Sequence, residues 1–189
     1  EYPAEEEEDN EHPYLDIPEG HYATDAIVFL YEQGIFTDPQ NSDFYGENGV
    51  AKVELTYYLI RSTFDQVDID EASLDLEISD ISEDDYYYDE VMVSVFTGIM
   101  NLHNGGTFRP FSETTRDMAI EAVANAAGNT TEWAEDLLNI PDEHEEITRY
   151  DLAVILYTAW DHIHGEDIEE EEEELVFHPN YLFTPCGEN

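Results

Sequence analysis

Residues 14–35 read YLDIPEGHYATDAIVFLYEQGI and predict one helix with its own stop signal. Apolar residues recur at the spacing of a single helix face: Ala23, Ala26, Ile27, Leu30 and Tyr31. Gly34 follows where a helix commonly ends in the left-handed conformation, which glycine adopts without strain. We therefore expect a short extended segment at residues 14–18 and a helix over residues 21–33.

The spacing around this helix occurs twice in the chain. In each of two sets of three residues, neighbouring members lie 18 positions apart: Asp16, Gly34 and Lys52, then Asp80, Gly98 and Arg116. A third helix that starts with a cation is predicted from ITRYDLA, residues 147–153, which contains Arg149. Lys52, Arg116 and Arg149 are three of only five Lys and Arg residues, and each opens a predicted helix. Repeated placement of such rare cations indicates that the protein uses them.

These patterns divide the chain into three helix-loop-helix units and predict a mostly α-helical protein. Second helices are expected from about Ala51, after a cap at Thr114 or Thr115, and after a capping box of Thr148 and Asp151. The predicted parts are an acidic leader at 1–13, a first unit at 14–64, an acidic linker at 65–77, a second unit at 78–128, a shortened third unit at 129–164, and an acidic tail with an apolar end at 165–189.

The charge restricts the partners. The formal net charge of -43 opposes binding to nucleic acid and to anionic membrane surfaces, since both need clustered Lys and Arg. Such a surface suits high ionic strength or abundant divalent cations, which screen or bridge carboxylates. No apolar run has the length of a membrane span. Glu1 opens the chain in place of Met, which we interpret as a processed, exported form after removal of a signal peptide.

The pattern resembles the S-layer homology family. The opening at residues 14–23, Gly34-Ile35 and Gly98-Ile99, GTFRP at 106–110, and ITRYDLA at 147–153 are similar to family motifs over about residues 14–164. The resemblance implies three repeats in a pseudo-threefold prism, with a degenerate third repeat. It further implies an extracellular module on a bacterial surface that binds anionic, pyruvylated cell-wall polysaccharide through cations in the grooves between repeats.

The candidate polysaccharide-binding residues implied by this resemblance are Lys52, Arg116, Arg149, Asp16, Asp80, Tyr22 and Tyr87. A guanidinium matches a carboxylate, and a helix N-terminus adds N–H donors. The chain departs from the family pattern at Lys52, which replaces an Arg, and at Met118, which replaces an acidic residue. For the three cations the competing interpretation is ion pairing within the fold.

Other interpretations remain open at the level of sequence. Helical spacing favours a core position for Tyr22 and for residues 86–88 over a sugar-stacking role. We expect Arg61 and Arg109 to be ion-pair or loop residues, and the glutamate runs to be solvated, with weak Ca²⁺ binding as the alternative. Two histidines at a helix end usually have no metal role, and a metal site at His162 and His164 is the alternative interpretation. No cofactor is required by any motif.

The sequence gives no support for an enzymatic function, because it lacks zinc-protease, phosphate-loop and serine-hydrolase motifs. The alternative function is a self-assembling structural subunit of a surface layer or extracellular filament. In that case the apolar end of the chain would dock on a neighbouring copy, with Ca²⁺ bridging the acidic faces.

Overall fold

The computed structural model of the protein describes residues 13–37, 42–64, 76–138 and 145–165. Within these ranges the chain forms helices and isolated β-bridges but no regular strand, so the prediction of a mostly α-helical protein is confirmed. The helices are α1 (Thr24–Glu32), α2 (Lys52–Thr63), α3 (Tyr88–Phe96), α4 (Arg116–Ala126), α5 (Thr131–Leu137) and α6 (Arg149–Gly165).

The helix ends follow from local sequence signals. Gly34 has φ +71° after α1, and the Ile35 N–H donates to the Leu30 carbonyl at 2.9 Å, which closes the helix end. Gly98, with φ +78°, has the same place after α3. The Thr115 hydroxyl accepts from the Met118 N–H at the start of α4, as the predicted cap requires.

The predicted capping box at the start of α6 is confirmed. The Thr148 N–H donates to the Asp151 carboxylate at 2.9 Å, and the Asp151 N–H donates to the Thr148 hydroxyl at 3.2 Å. Each side chain thus satisfies a backbone donor that the helix itself leaves without a partner.

Packing of the helices follows a cyclic order. The second helices α2, α4 and α6 contact one another in pairs, while α1 packs on α6, α3 on α2, and α5 on α4. Their apolar faces share one core, whose largest fully buried side chains include Tyr14, Phe36, Phe44, Phe108, Leu55, Leu59 and Ile147. Each first helix therefore joins its own repeat to the long helix of another.

Three short segments that precede α2, α4 and α6 form a closed ring of backbone hydrogen bonds. The Val50 N–H donates to the Ile147 carbonyl (3.2 Å), the Ile147 N–H to the Thr114 carbonyl (3.0 Å), and the Thr114 N–H to the Val50 carbonyl (2.9 Å). Each of these residues lies two positions before a predicted cation. The ring therefore brings the N-termini of the three second helices together.

The cations continue this pattern in their own backbone. The Lys52 N–H donates to the Ser112 carbonyl (2.8 Å), the Arg116 N–H to Glu145 (3.0 Å), and the Arg149 N–H to Asn48 (3.0 Å). Each acceptor lies four positions before the cation of the neighbouring segment. The three helix starts are thus related by the same set of contacts.

The segment at Tyr14 forms an isolated bridge to Ser42, in which the Leu15 N–H donates to the Ser42 carbonyl at 3.0 Å. Arg109 has φ 58° and turns the chain in its loop. The acidic leader up to residue 12, linker residues 65–75, Pro141 and the tail from residue 166 lie outside the described residues. None of the described helices is long and apolar enough to cross a membrane.

Candidate functional site

Lys52 is buried at the start of α2, with 2% of its surface exposed. Its Nζ donates to the carbonyl oxygens of Asn101 (2.8 Å) and Phe108 (3.1 Å) and lies 4.1 Å from the centre of the Phe108 ring. Burial lowers the pKa of Lys52 to about 8, while the negative charge of Asp80 acts in the opposite direction. Lys52 is therefore a cation that is held mainly by carbonyl dipoles and a ring face.

Arg149 has a corresponding environment at the start of α6. Its Nε donates to the Phe44 carbonyl at 2.9 Å, and its guanidinium carbon lies 4.9 Å from the centre of the Phe44 ring. One terminal nitrogen also donates to the Glu54 carboxylate at 3.1 Å. Arg149 therefore combines a carbonyl, a ring face and a carboxylate from the first unit.

One position distinguishes the two environments. Glu54, which pairs with Arg149, lies two residues after Lys52, and the residue at the same place after Arg116 is Met118. Met118 lines the cleft at Lys52. Among the described residues no carboxylate lies within ion-pair distance of Lys52, so its positive charge lacks the counter-ion that Arg149 has.

Lys52 and Arg149 each line a cleft between units. The Arg149 cleft has a volume of about 390 Å³ and is lined by Ser42, Asp43, Tyr45, Asn48, Gly49, Glu54 and Arg149. The Lys52 cleft has a volume of about 290 Å³, and its polar lining residues are Lys52, Asn101, His103, Thr115, Asp117 and Glu121. Both clefts thus place a cation among carboxylates, which oppose the approach of an anion at low ionic strength.

Arg116 is the third candidate cation, and it lies half-buried at the start of α4. Its backbone N–H donates to Glu145, so it has the same position in the ring as Lys52 and Arg149. Phe44 and Phe108 each lie eight positions before a repeated cation. The position eight before Arg149 is residue 141, which lies outside the part of the chain that the structure describes. The role of Arg116 therefore stays a prediction.

Asp16 and Asp80 hold the loops under the clefts. Asp16 accepts the backbone N–H groups of Phe44 (2.6 Å) and Tyr45 (2.7 Å), and Asp80 accepts those of Phe108 and Arg109, both at 2.7 Å. Although partial burial opposes ionisation of Asp80, these N–H groups lower its pKa overall. Both oxygens of each carboxylate contact the backbone, so the two residues position the phenylalanines that contact the cations.

The tyrosines differ from expectation. Tyr22 and Tyr86 are 56% and 76% exposed, so the prediction that they are core residues is wrong. They precede α1 and α3 at the rim of the core, where the hydroxyl of Tyr22 donates to Asp151 at 2.9 Å. Burial, followed by this hydrogen bond, raises the pKa of Tyr22. Tyr87, a candidate for stacking on sugar, is 4% exposed and belongs to the core.

Sequence reasoning missed Phe44, Phe108 and Glu54. Each phenylalanine lies 28 residues after a repeated aspartate and eight residues before a repeated cation, and this double spacing is the signal that identifies the pair. Glu54 lies in the first turn of α2, where its carboxylate accepts the Ala51 N–H at 2.9 Å. Its contact with Arg149 spans 95 residues, and no local pattern indicates it.

The remaining polar candidates lie elsewhere. Arg61 pairs with Glu90 at 3.3 Å, as expected of an ion-pair residue, and Arg109 lies exposed in its loop. The ring of His162 packs on Trp133 and that of His164 stacks on Trp160. In the described ranges no group of three His, Cys, Asp or Glu side chains is arranged to hold a metal ion.

Comparison of the chain with protein-family models gives no match, and comparison with curated proteins gives no significant match.

Proposed function

We propose that this protein is a non-catalytic, extracellular binding module of the S-layer homology type. In this proposal its three units form a pseudo-threefold prism that attaches to anionic cell-wall polysaccharide on a bacterial surface. The closed hydrogen-bond ring of Val50, Thr114 and Ile147 and the cyclic order of helix contacts support the threefold arrangement.

One observation carries the proposal, namely that two repeated cations have the same built environment. Lys52 and Arg149 each donate to a phenylalanine carbonyl, contact that phenylalanine's ring, and line a cleft between units. Removing a cation from water is costly unless it is compensated, so the repetition of this arrangement at a buried Lys52 and a partly buried Arg149 favours a role in binding over a role in stability alone.

The two clefts offer different chemistry to an anionic sugar. At Lys52 a carboxylate of the ligand would supply the counter-ion that the described protein residues do not, and Thr115 and Asn101 supply polar groups at the cleft wall. At Arg149 the ligand would share the guanidinium with Glu54. We therefore place the strongest dependence on ligand charge at Lys52.

The test is co-sedimentation of the protein with purified Gram-positive cell-wall sacculi at high salt, where the acidic surface is screened. The variants Lys52→Met, Arg116→Ala and Arg149→Gln are compared with Arg109→Gln, a control that removes an exposed cation lining neither cleft. We expect the wild type and Arg109→Gln to bind and Lys52→Met to lose about tenfold or more in affinity.

Two results would contradict the proposal. The first is a wild-type protein that does not sediment with sacculi at any ionic strength. The second is equal binding by all three cleft variants and the control, which would leave the cations with a purely structural role.

A further inference from the structure

An aromatic surface that the proposed clefts do not include lies between α2 and α3. We call Tyr57, Tyr86 and Phe111 the aromatic strip. Tyr86 and Phe111 are each 76% exposed, and their rings lie 4.9 and 6.3 Å from the ring of the buried Tyr87. The ring of Tyr57 on α2 lies 5.8 Å from that of Tyr86. Two neighbouring aromatic rings exposed to this degree commonly mark a binding surface.

The strip is continuous with the Arg149 cleft through one face of α2. Glu54, which pairs with Arg149, and Tyr57 are three residues apart and therefore lie side by side on this helix. The ring of Tyr86 lies 5.8 Å from that of Tyr57, on the side of α2 that carries Glu54. Partial burial, followed by the charge of Glu54, raises the pKa of Tyr86. A polymer bound in the Arg149 cleft would thus meet the strip on the far side of Glu54.

The supports beneath the strip hold its rings in place. Tyr87 is buried and stands nearly perpendicular to both Tyr86 and Phe111, at 77° and 84°. On the other side, the Arg61 guanidinium lies 5.0 Å from the centre of the Tyr57 ring and pairs with Glu90. Such edge-to-face contacts fix ring orientation, so the exposed faces are preorganised for a ligand.

Charge selects among the occupants of this surface. The two carboxylates beside the strip are each paired with a cation, Glu54 with Arg149 and Glu90 with Arg61, so the strip presents ring faces and no uncompensated charge of its own. The chain as a whole carries -43, so a second copy of the chain would be repelled. A neutral sugar meets no such repulsion. The C–H groups of its ring face carry partial positive charge and pack on the negative face of an aromatic ring, and a hydroxyl would donate to Glu54, whose side chain is 30% exposed.

We infer that the aromatic strip is a stacking subsite for a neutral sugar residue of the same polymer whose acidic residue binds in the Arg149 cleft. This inference rests on the proposed function, to which it adds a second, charge-independent contact. Unit one has Glu47 at the place of Phe111, counted from the following cation, so the first unit does not repeat this subsite.

The experiment measures binding of soluble wall polysaccharide in two forms, intact and after mild acid removal of its ketal-linked acidic groups. The double variant Tyr86→Ala/Phe111→Ala is compared with Phe96→Ala, which removes a ring of similar exposure (61%) at the other end of α3. Tyr86→Phe keeps the ring and removes only the hydroxyl. Thermal unfolding checks that each variant is folded, which the exposure of these residues predicts.

We expect the double variant to bind about tenfold more weakly than the wild type to both forms of the polymer, with Phe96→Ala and Tyr86→Phe close to the wild type. Arg149→Gln, which removes the cation of the adjoining cleft, should weaken binding of the intact form alone. If the double variant binds like Phe96→Ala, the strip is not a sugar subsite, even where Arg149→Gln confirms the Arg149 cleft. If the double variant and the wild type instead differ in molecular mass by sedimentation equilibrium, a second copy of the chain occupies the strip. If the wild type retains a cationic peptide more strongly than polysaccharide and loses it in the double variant, a basic protein segment is the occupant.

Discussion

Gly46 lies directly under the ring of Tyr150 in the loop that borders the Arg149 cleft. A methyl group at Gly46 would stand 2.1 to 2.3 Å from three atoms of that ring. Tyr150 has little room to move, because it is 4% exposed and its ring centre lies 3.9 Å from that of His21 and 5.8 Å from that of Phe44. Its backbone N–H also donates to the Gly46 carbonyl at 3.0 Å. We therefore expect Gly46→Ala to be strongly destabilising.

The size of the effect follows from two opposing terms. Overpacking by one methyl group typically costs about 1–3 kcal/mol, and more where the neighbours are fixed. Replacing glycine by alanine also restricts the unfolded chain, which contributes about 0.4–1 kcal/mol in the other direction. The expected net loss in free energy of unfolding is about 2 kcal/mol. For a domain of this size that corresponds to a fall in Tm of about 4–8 °C.

Gly49→Ala is the matched control in the same loop. No atom lies within 4 Å of the added methyl group, and the backbone of Gly49 does not have a positive φ. Its stability should equal or slightly exceed that of the wild type. Urea and thermal unfolding of the three proteins at high salt provide the measurement, with Tyr150→Leu and Gly46→Ala/Tyr150→Leu completing a double-mutant cycle. Equal stability of Gly46→Ala and Gly49→Ala would refute the packing described for Tyr150.

Three further predictions concern charge and assembly. The pKa of Lys52 is about 8 in the folded protein, against 10.5 for an unperturbed lysine, so between these pH values the unfolded state binds more protons than the folded state. The free energy of unfolding of the wild type should therefore rise with pH in this range. The rise should be missing in Lys52→Met when urea unfolding is followed from pH 7 to 10. Asp16→Asn and Asp80→Asn should each lose about 1–3 kcal/mol of stability, because an amide offers one oxygen acceptor to two backbone N–H groups. The control Asp84→Asn should stay within about 0.5 kcal/mol of the wild type. Equal effects of all three substitutions would contradict the role of Asp16 and Asp80 in holding the loops. The protein should sediment as a monomer with and without millimolar Ca²⁺, and large species that disappear when residues 175–189 are deleted would favour the structural subunit instead.

Local signals in the sequence were sufficient for much of the helical structure. The apolar face of α1, the glycines after α1 and α3, and the Thr148 capping box act over four or five neighbouring residues, so short stretches of chain contain the whole signal. Tyr22 and Tyr86 show where this reasoning stops. Their helical spacing predicts burial, but they precede the first turns of α1 and α3, where the described residues cover only part of each ring.

The sequence by itself determined the repeated spacing, the ends of several helices, and the positions of Lys52, Arg116 and Arg149 at the starts of three of them. The tertiary structure alone determined what surrounds those cations. The Arg149 contact to Phe44 joins residues 105 positions apart, and the Lys52 contact to Phe108 joins residues 56 apart. Burial of Lys52 and pairing of Arg149 with Glu54 depend on how separate units pack, because chain folding creates such contacts between residues that share no local pattern.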